Sequence, residues 1–169
     1  MTNIFIAIIA YLLDRKFGEY TFIKHPLVVI TELITFFEQK FYKNTLKHGL
    51  FLVMFVLLIV SLFAISLYLY LNLFTPLIIN IIISAFIASM FLSHKDLKGG
   101  VIAPIFYLLI FGLPGIIIYK TISTIDARIG ANTPKYNKFG KIASALNSGV
   151  NFIPFRFTDF VTKILEKQK

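Results

Sequence analysis

From Gly49 to Ser93 the chain runs for 45 residues without one Asp, Glu, Lys, Arg or His. A single α-helix of that length, rising about 1.5 Å per residue, would be roughly twice as long as the ~30 Å hydrocarbon core of a bilayer. The run must therefore fold back on itself, and Asn72-Leu73-Phe74-Thr75-Pro76 supplies the turn, because Pro76 cannot continue a helix through its missing amide hydrogen. This predicts two full transmembrane helices, at 49–71 and 76–93, with Asn80, Ser84 and Ser89 of the second forming hydrogen bonds between helices.

The rest of the chain fits the same solvent. Hydrophobic residues make up 57% of it, charged residues 15%, and the mean hydropathy is +0.81, so the class is an integral membrane protein of one domain, residues 1–169. Cysteine is absent, which excludes disulfides and thiolate metal sites, while His25, His48 and His94 are too far apart for a local metal motif. The net charge of +9 is concentrated beside the apolar runs: six Lys/Arg against four acids in residues 14–48, two against one in 94–98, and nine against three in 120–169. Such basic flanks mark the cytoplasmic side of a cell membrane, here the inner membrane. No nucleic-acid module accompanies the charge, so its expected partners are membrane lipid or a phosphorylated small molecule, not nucleic acid.

Residues 2–13, TNIFIAIIAYLL, are apolar but too few to cross a bilayer, and predict a half-span or interfacial helix followed by a charged loop from Asp14. From Pro26 the spacing of Ile30, Leu33, Ile34, Phe37 and Phe41 predicts an amphipathic interfacial helix, with Glu38, Lys40 and Lys43 off its apolar face. The third apolar segment, 101–119, is interrupted by Gly112-Leu113-Pro114-Gly115, where a helix should break or kink. Three full crossings would put the basic tail opposite the other basic segments, so the broken segment is expected to enter the membrane and return. The tail, 120–169, should be interfacial, regaining helical period at Phe157, Phe160, Val161, Ile164 and Leu165. No GxxxxGK or GxGxxG phosphate loop occurs. The membrane surface is expected near Tyr119, which delivers Lys120, Thr121, Ser123, Thr124, Asp126 and Arg128 to an interface and makes that cluster the candidate centre.

Two blocks carry a likeness. AYLLDRKFGEYTFIKHPLVVITELITFFE, residues 10–38, is similar to an "LD…GD…HP" opening, with Asp14, Gly18, His25, Pro26 and Glu38 in place. Residues 100–156 contain GVIAPIFY, GLPG, YKTISTID, GANTPKYNKFG and NFIPFR. They resemble the "DG…AP.FY…G.P…Y…NTLD…G…Y..FG…N.IP.R" run of the adenosylcobinamide-phosphate synthases, the CobD/CbiB membrane proteins of cobalamin biosynthesis. The departures are Glu19, Gly99, Ser123 and Asn147-Ser148, the last pair standing where the family pattern has two aspartates. The family's central "AR…GRD" and "E…EN" motifs have no counterpart, since His94 to Gly100 joins the two halves directly.

The resemblance implies an ATP- and magnesium-dependent amide ligation between adenosylcobyric acid, a corrinoid, and an aminopropanol phosphate. It also implies roles: Asp14, His25 and Asp126 as catalytic groups, and Lys120, Thr124, Arg128, Asn151 and Arg156 as substrate-binding groups, with the metal ligands unknown. Loss of charged motifs leaves two other readings, a noncatalytic or split-site subunit working with other cobalamin-pathway proteins, and a regulatory membrane protein of the same superfamily.

Overall fold

The computed structural model describes residues 2–17, 26–92, 102–131 and 133–166, with side chains up to residue 157 apart from that of Phe17. Among these residues the chain is all α-helical: α1 Thr2–Phe17, α2 Pro26–Phe41, α3 Leu46–Phe74, α4 Leu77–Phe91, α5 Ile102–Ile129 and α6 Lys141–Glu166, with one 3-10 turn at Pro134–Tyr136.

α3 shows which solvent the chain is built for. An inner stripe, Leu52, Val53, Val56, Val60, Ala64 and Leu71, is buried. Leu58, Leu62, Phe63, Tyr70, Leu73 and Phe74 are exposed, and only 28% of the helix's most apolar window is buried. A core helix of a soluble protein would be covered all round; this one presents hydrocarbon outwards, as a lipid-facing helix does. By summed length and composition alone, α3 and α5 are the two candidate spans.

The second of these is not the segment expected. α4 has 15 residues, about 22 Å of helix, because Pro76 starts it and Leu92 leaves the helical region at its end. Its buried residues are small from Ser84 through Ala85 and Ala88 to Ser89, with Met90 and Phe91 following at its end, and α1, whose own Ala7 and Ala10 are buried, packs against it. α1 likewise continues past the expected end of its apolar run, so that Asp14, expected in a loop, is a buried helical residue.

α5 carries the predicted interruption. Gly112 has φ 67° and ψ −153°, open only to a residue without Cβ. Across it the Tyr107 and Tyr119 rings stack with centroids 5.1 Å apart, whereas twelve residues of straight helix would separate them by about 18 Å. Gly115 lies so close to the Tyr107 carbonyl that a Cβ there would collide with it. The helix is thus two arms side by side, and Pro114 falls in the first turn of the second arm, where its missing amide hydrogen leaves no bond unmade. The second arm runs on to Ile129 and buries Lys120, Thr121, Ile122 and Ile125. Residues 120–129, expected in the interfacial tail, are therefore part of this largely buried helix.

α6 starts at Lys141, sixteen residues before the periodicity at Phe157 predicted it. Pro154 lies inside it and cannot donate to the Val150 carbonyl one turn back; the Tyr107 hydroxyl donates to that oxygen instead, at 2.8 Å. The face formed by Phe160, Val161, Ile164 and Leu165 lies outside the described side chains.

The helices leave two unlike ends. At the turn end, α1 begins, α3 passes to α4 and α5 reverses. Asn3 donates to the Leu109 carbonyl at 3.2 Å, Asn80 Nδ2 donates to Asn72 Oδ1 at 3.3 Å, and Ser84 Oγ donates to Asn80 Oδ1 at 2.9 Å. At the opposite, charged end, the α2–α3 connection holds the α5–α6 connection. Asn44 Oδ1 accepts from the backbone amides of Lys138 and Phe139 at 3.1 and 3.0 Å, and Gly49 of α3 packs against the Phe139 carbonyl.

Candidate functional site

Asp126 is the centre of the charged end. Counting about 1.5 Å per residue from Leu113, it stands some 20 Å up the second arm of α5, beside the first turns of α6. Its Oδ1 accepts from Ser144 Oγ at 2.6 Å and its Oδ2 from Asn147 Nδ2 at 2.7 Å. Ser144 is fixed in turn because its Oγ accepts the Ala131 amide at 3.0 Å. Gly130 makes room: a Cβ there would fall 2.6 Å from Asp126 Oδ1.

The network continues along α6. Asn151 Nδ2 donates to the Asn147 carbonyl at 2.8 Å and to Asn147 Oδ1 at 2.9 Å, and Asn151 Oδ1 accepts from the Tyr119 hydroxyl at 2.9 Å. Ser144, Asn147 and Asn151, three and four residues apart, share one helical face. Asp126 and Asn151 thus belong to one hydrogen-bond network, with Asn147 between them.

The other expected residues are placed differently. Asp14 is buried at the same end, eleven residues along α1 from Asn3. Lys120 is buried on α5, below Asp126. Thr124 donates its hydroxyl to the Lys120 carbonyl at 2.7 Å, a bond within its own helix. Arg128 and Arg156 are exposed, and the Arg156 guanidinium sits 5.1 Å over the Phe152 ring. His25 lies outside the described residues.

A second polar cluster joins α2 to the α5–α6 connection. Glu38, assigned to the outside of α2, is 8% exposed and accepts from Lys135 Nζ and Tyr136 Oη, both at 2.6 Å. Lys135 lies 5.3 and 4.7 Å over the rings of Tyr42 and Tyr136, and the Tyr42 hydroxyl donates to the Lys135 carbonyl. Burial alone would raise the Glu38 carboxyl, but the hydrogen bonds from Lys135 and Tyr136 and the charges of Lys135 and Arg128 hold it below its ordinary value. Lys135 is held above its ordinary value, chiefly by the bond to Glu38 and then by that to Tyr136. The sequence signal was available only as Glu38 in the first motif block and Lys135-Tyr136 in the second; nothing local joined them.

The donor set does not make a protein cage for magnesium. Asp126 brings one carboxylate whose oxygens already accept two hydrogen bonds, and among the described residues no three of His, Cys, Asp and Glu are grouped to hold a metal ion.

A helical membrane protein with ionised and amide groups gathered at one end of a lipid-facing bundle is the class these features define. Within that class the chain belongs to the CobD/CbiB protein family, which matches residues 7–101 and again 96–168. It is similar to the probable cobalamin biosynthesis protein CobD of Pyrococcus furiosus, 32% identical over 198 residues that take in 89% of this chain and 69% of the relative. Its counterpart in Methanococcus maripaludis is 30% identical over 215 residues, 92% of this chain and 70% of the relative. That of Thermococcus kodakarensis is 44% identical over 64 residues, 38% of this chain and 22% of the relative. No solved structure matches. The matched 89% of these 169 residues is about 150, so about 48 of the 198 positions aligned with the Pyrococcus protein have no counterpart here. The family match divides at residues 96–101, where the sequence joins its two halves directly.

Proposed function

We propose that this protein serves the amide-forming step of cobalamin biosynthesis, joining the carboxyl group of a corrinoid acid to the amine of an aminoalkyl phosphate. The observation that carries this reading is the Asp126–Ser144–Asn147–Asn151 network, which draws together positions from the "NTLD" and "N.IP.R" motifs. ATP enters as co-substrate and takes the carboxyl oxygen that leaves. Asp126, oriented by two donors, is suited to accept a proton from the attacking amine. The exposed Lys43, Lys47, Arg128, Lys138 and Lys141 surround the same end with the positive charge that a triphosphate requires. Magnesium, where the resemblance implies it, would be carried by the triphosphate, since the residues here do not fit a cage of their own. The two arms of α5 suit a segment that enters the bilayer and returns, which leaves the basic segments facing the cytoplasm at the inner membrane, where ATP is available.

One observation favours a second reading, a split-site or noncatalytic subunit. The region absent between α4 and α5 and the Asn147-Ser148 pair both remove charged groups of the family pattern, so a second chain would have to supply them. Complementation of a strain lacking its full-length synthase separates the two. A complementing native chain and a loss of at least ~10² in turnover for Asp126→Asn, at matched protein levels, support ligation by this chain. Full activity of Asp126→Asn would overturn the assignment of Asp126. Growth restored only when a second pathway protein is co-expressed would establish the split site.

A further inference from the structure

Beyond the Asp126 network, α6 carries a shallow groove of about 400 Å³ lined by Asn147, Ser148, Asn151, Phe152, Phe155 and Arg156. Its open hydrogen-bonding capacity is weighted towards donors and includes a cation. Asn151 spends both amide hydrogens on Asn147 and its oxygen on Tyr119, while the Asn147 side-chain oxygen accepts from Asn151. What stays open is a set of donors: the second amide hydrogen of Asn147, the exposed Ser148 hydroxyl and the Arg156 guanidinium. Among the described residues, neither Ser148 nor Arg156 makes a hydrogen bond or ion pair. Arg156 is nonetheless held, because its guanidinium lies 5.1 Å over the Phe152 ring, which restrains the fork without using its N–H groups. The Asp126 oxygens accept from Ser144 and Asn147, on the side of α6 that faces α5, so among the described residues the groove is lined by no carboxylate.

We propose that this groove binds a phosphate monoester, with Arg156 taking two phosphate oxygens as a fork, Ser148 and Asn147 donating to the third, and Phe152 and Phe155 flanking the ester carbons. A compact anion with several acceptor oxygens is what a cationic, donor-rich site on an aromatic floor complements. The assignment of this phosphate to the amine substrate rests on the ligation reading above; the binding does not. The same donors could meet the phosphate of an anionic lipid headgroup, and the test distinguishes the two sources.

Binding of O-phosphoethanolamine is measured by titration calorimetry on the full chain in phosphatidylcholine nanodiscs. Native protein should bind it. Arg156→Gln should weaken binding at least tenfold, as loss of a charge-assisted pair does, Arg156→Lys less, and Ser148→Ala several-fold. Lys40→Gln, which removes an equal charge from an aromatic contact on α2, should leave it unchanged. Native-like binding by Arg156→Gln, or equal losses for Lys40→Gln and Arg156→Gln, would overturn the site. In a second arm, nanodiscs containing phosphatidic acid are used without free phosphate. Arg156-dependent lipid binding there, with none of the soluble monoester in the first arm, overturns the assignment to the amine substrate and gives the groove to a headgroup. Since no turnover is measured, an inactive ligase can still bind and an active one can still fail to.

Discussion

The two ends of the bundle are both polar, yet they are made of different chemistry. At the turn end Asn3, Asn72, Asn80 and Ser84 bond one another and backbone carbonyls, and none is ionisable. At the charged end the ionisable Asp126 and Glu38 each accept two hydrogen bonds from a distant part of the chain, and Lys135 donates to Glu38 and to its neighbour Tyr136. Hydration explains the division. Neutral amides can satisfy one another in a medium without water, whereas an ion must stay near an aqueous surface or be fully bonded. The turn end thus carries only groups that hydrocarbon tolerates, and the charged end carries groups that call for water or full bonding.

The largest effect that would test this division is steric. Gly49→Ala at the charged end puts a methyl group into the Phe139 carbonyl, backbone against backbone, and should cost more than ~4 kcal/mol or prevent folding. Gly149→Ala, on the open side of α6, meets nothing within 4 Å and should stabilise by about 0.5–1 kcal/mol. Thermal unfolding in detergent, followed by size exclusion, reads both.

Next comes Asn147→Asp, which replaces the donor 2.7 Å from Asp126 by a second carboxylate. The repulsion should cost about 2–3 kcal/mol in EDTA and be recovered on adding Mg²⁺ or Mn²⁺, because a divalent ion can bridge what an amide hydrogen bridged before. Loss without recovery would show that this position cannot hold a cation. The matching change at the turn end, Asn80→Asp, should show no recovery, because its bonded neighbours there, Asn72 and Ser84, bring no carboxylate.

A smaller effect is set by pH. The Glu38 carboxyl lies below its ordinary 4.5, so its contribution is fully present above that pH and is lost as the pH falls through the lower folded value. Lys135 lies above its ordinary 10.5, so its contribution is present below that pH and lost as the pH rises through the higher folded value. Glu38→Gln should therefore lower the melting temperature by a few degrees at pH 7 and remove the acid-side decline. An unchanged acid profile would show that the α2 contact is not linked to this ionisation. The smallest change is Tyr107→Phe, which leaves the Val150 carbonyl without its donor and should cost about 1 kcal/mol by the same melts.

The legible and illegible parts of the site differ in kind. Asp126 and Asn151 stood out as motif residues, and the break at Gly112 was readable because Gly and Pro restrict or free φ wherever they occur. Ser144 and Asn147 were not seen as Asp126's partners: the spacing of Ile142, Leu146, Val150 and Ile153 marks a helix from the start of α6, but it does not say which carboxylate the polar face of that helix meets. Glu38 looked like the solvated side of an amphipathic helix. Its partners lie 97 and 98 residues away, and only packing brought them near.

The sequence by itself determined the solvent and the helical class, because hydropathy summed over long runs depends on composition and not on neighbours. It also determined where the chain must turn. Which apolar runs are long enough to cross, how far α5 continues beyond Tyr119, and which donors meet Asp126 were decided by tertiary structure. Those outcomes depend on close approaches, Gly115 on Tyr107 and Gly140 on Ile129, between backbones that local spacing does not relate.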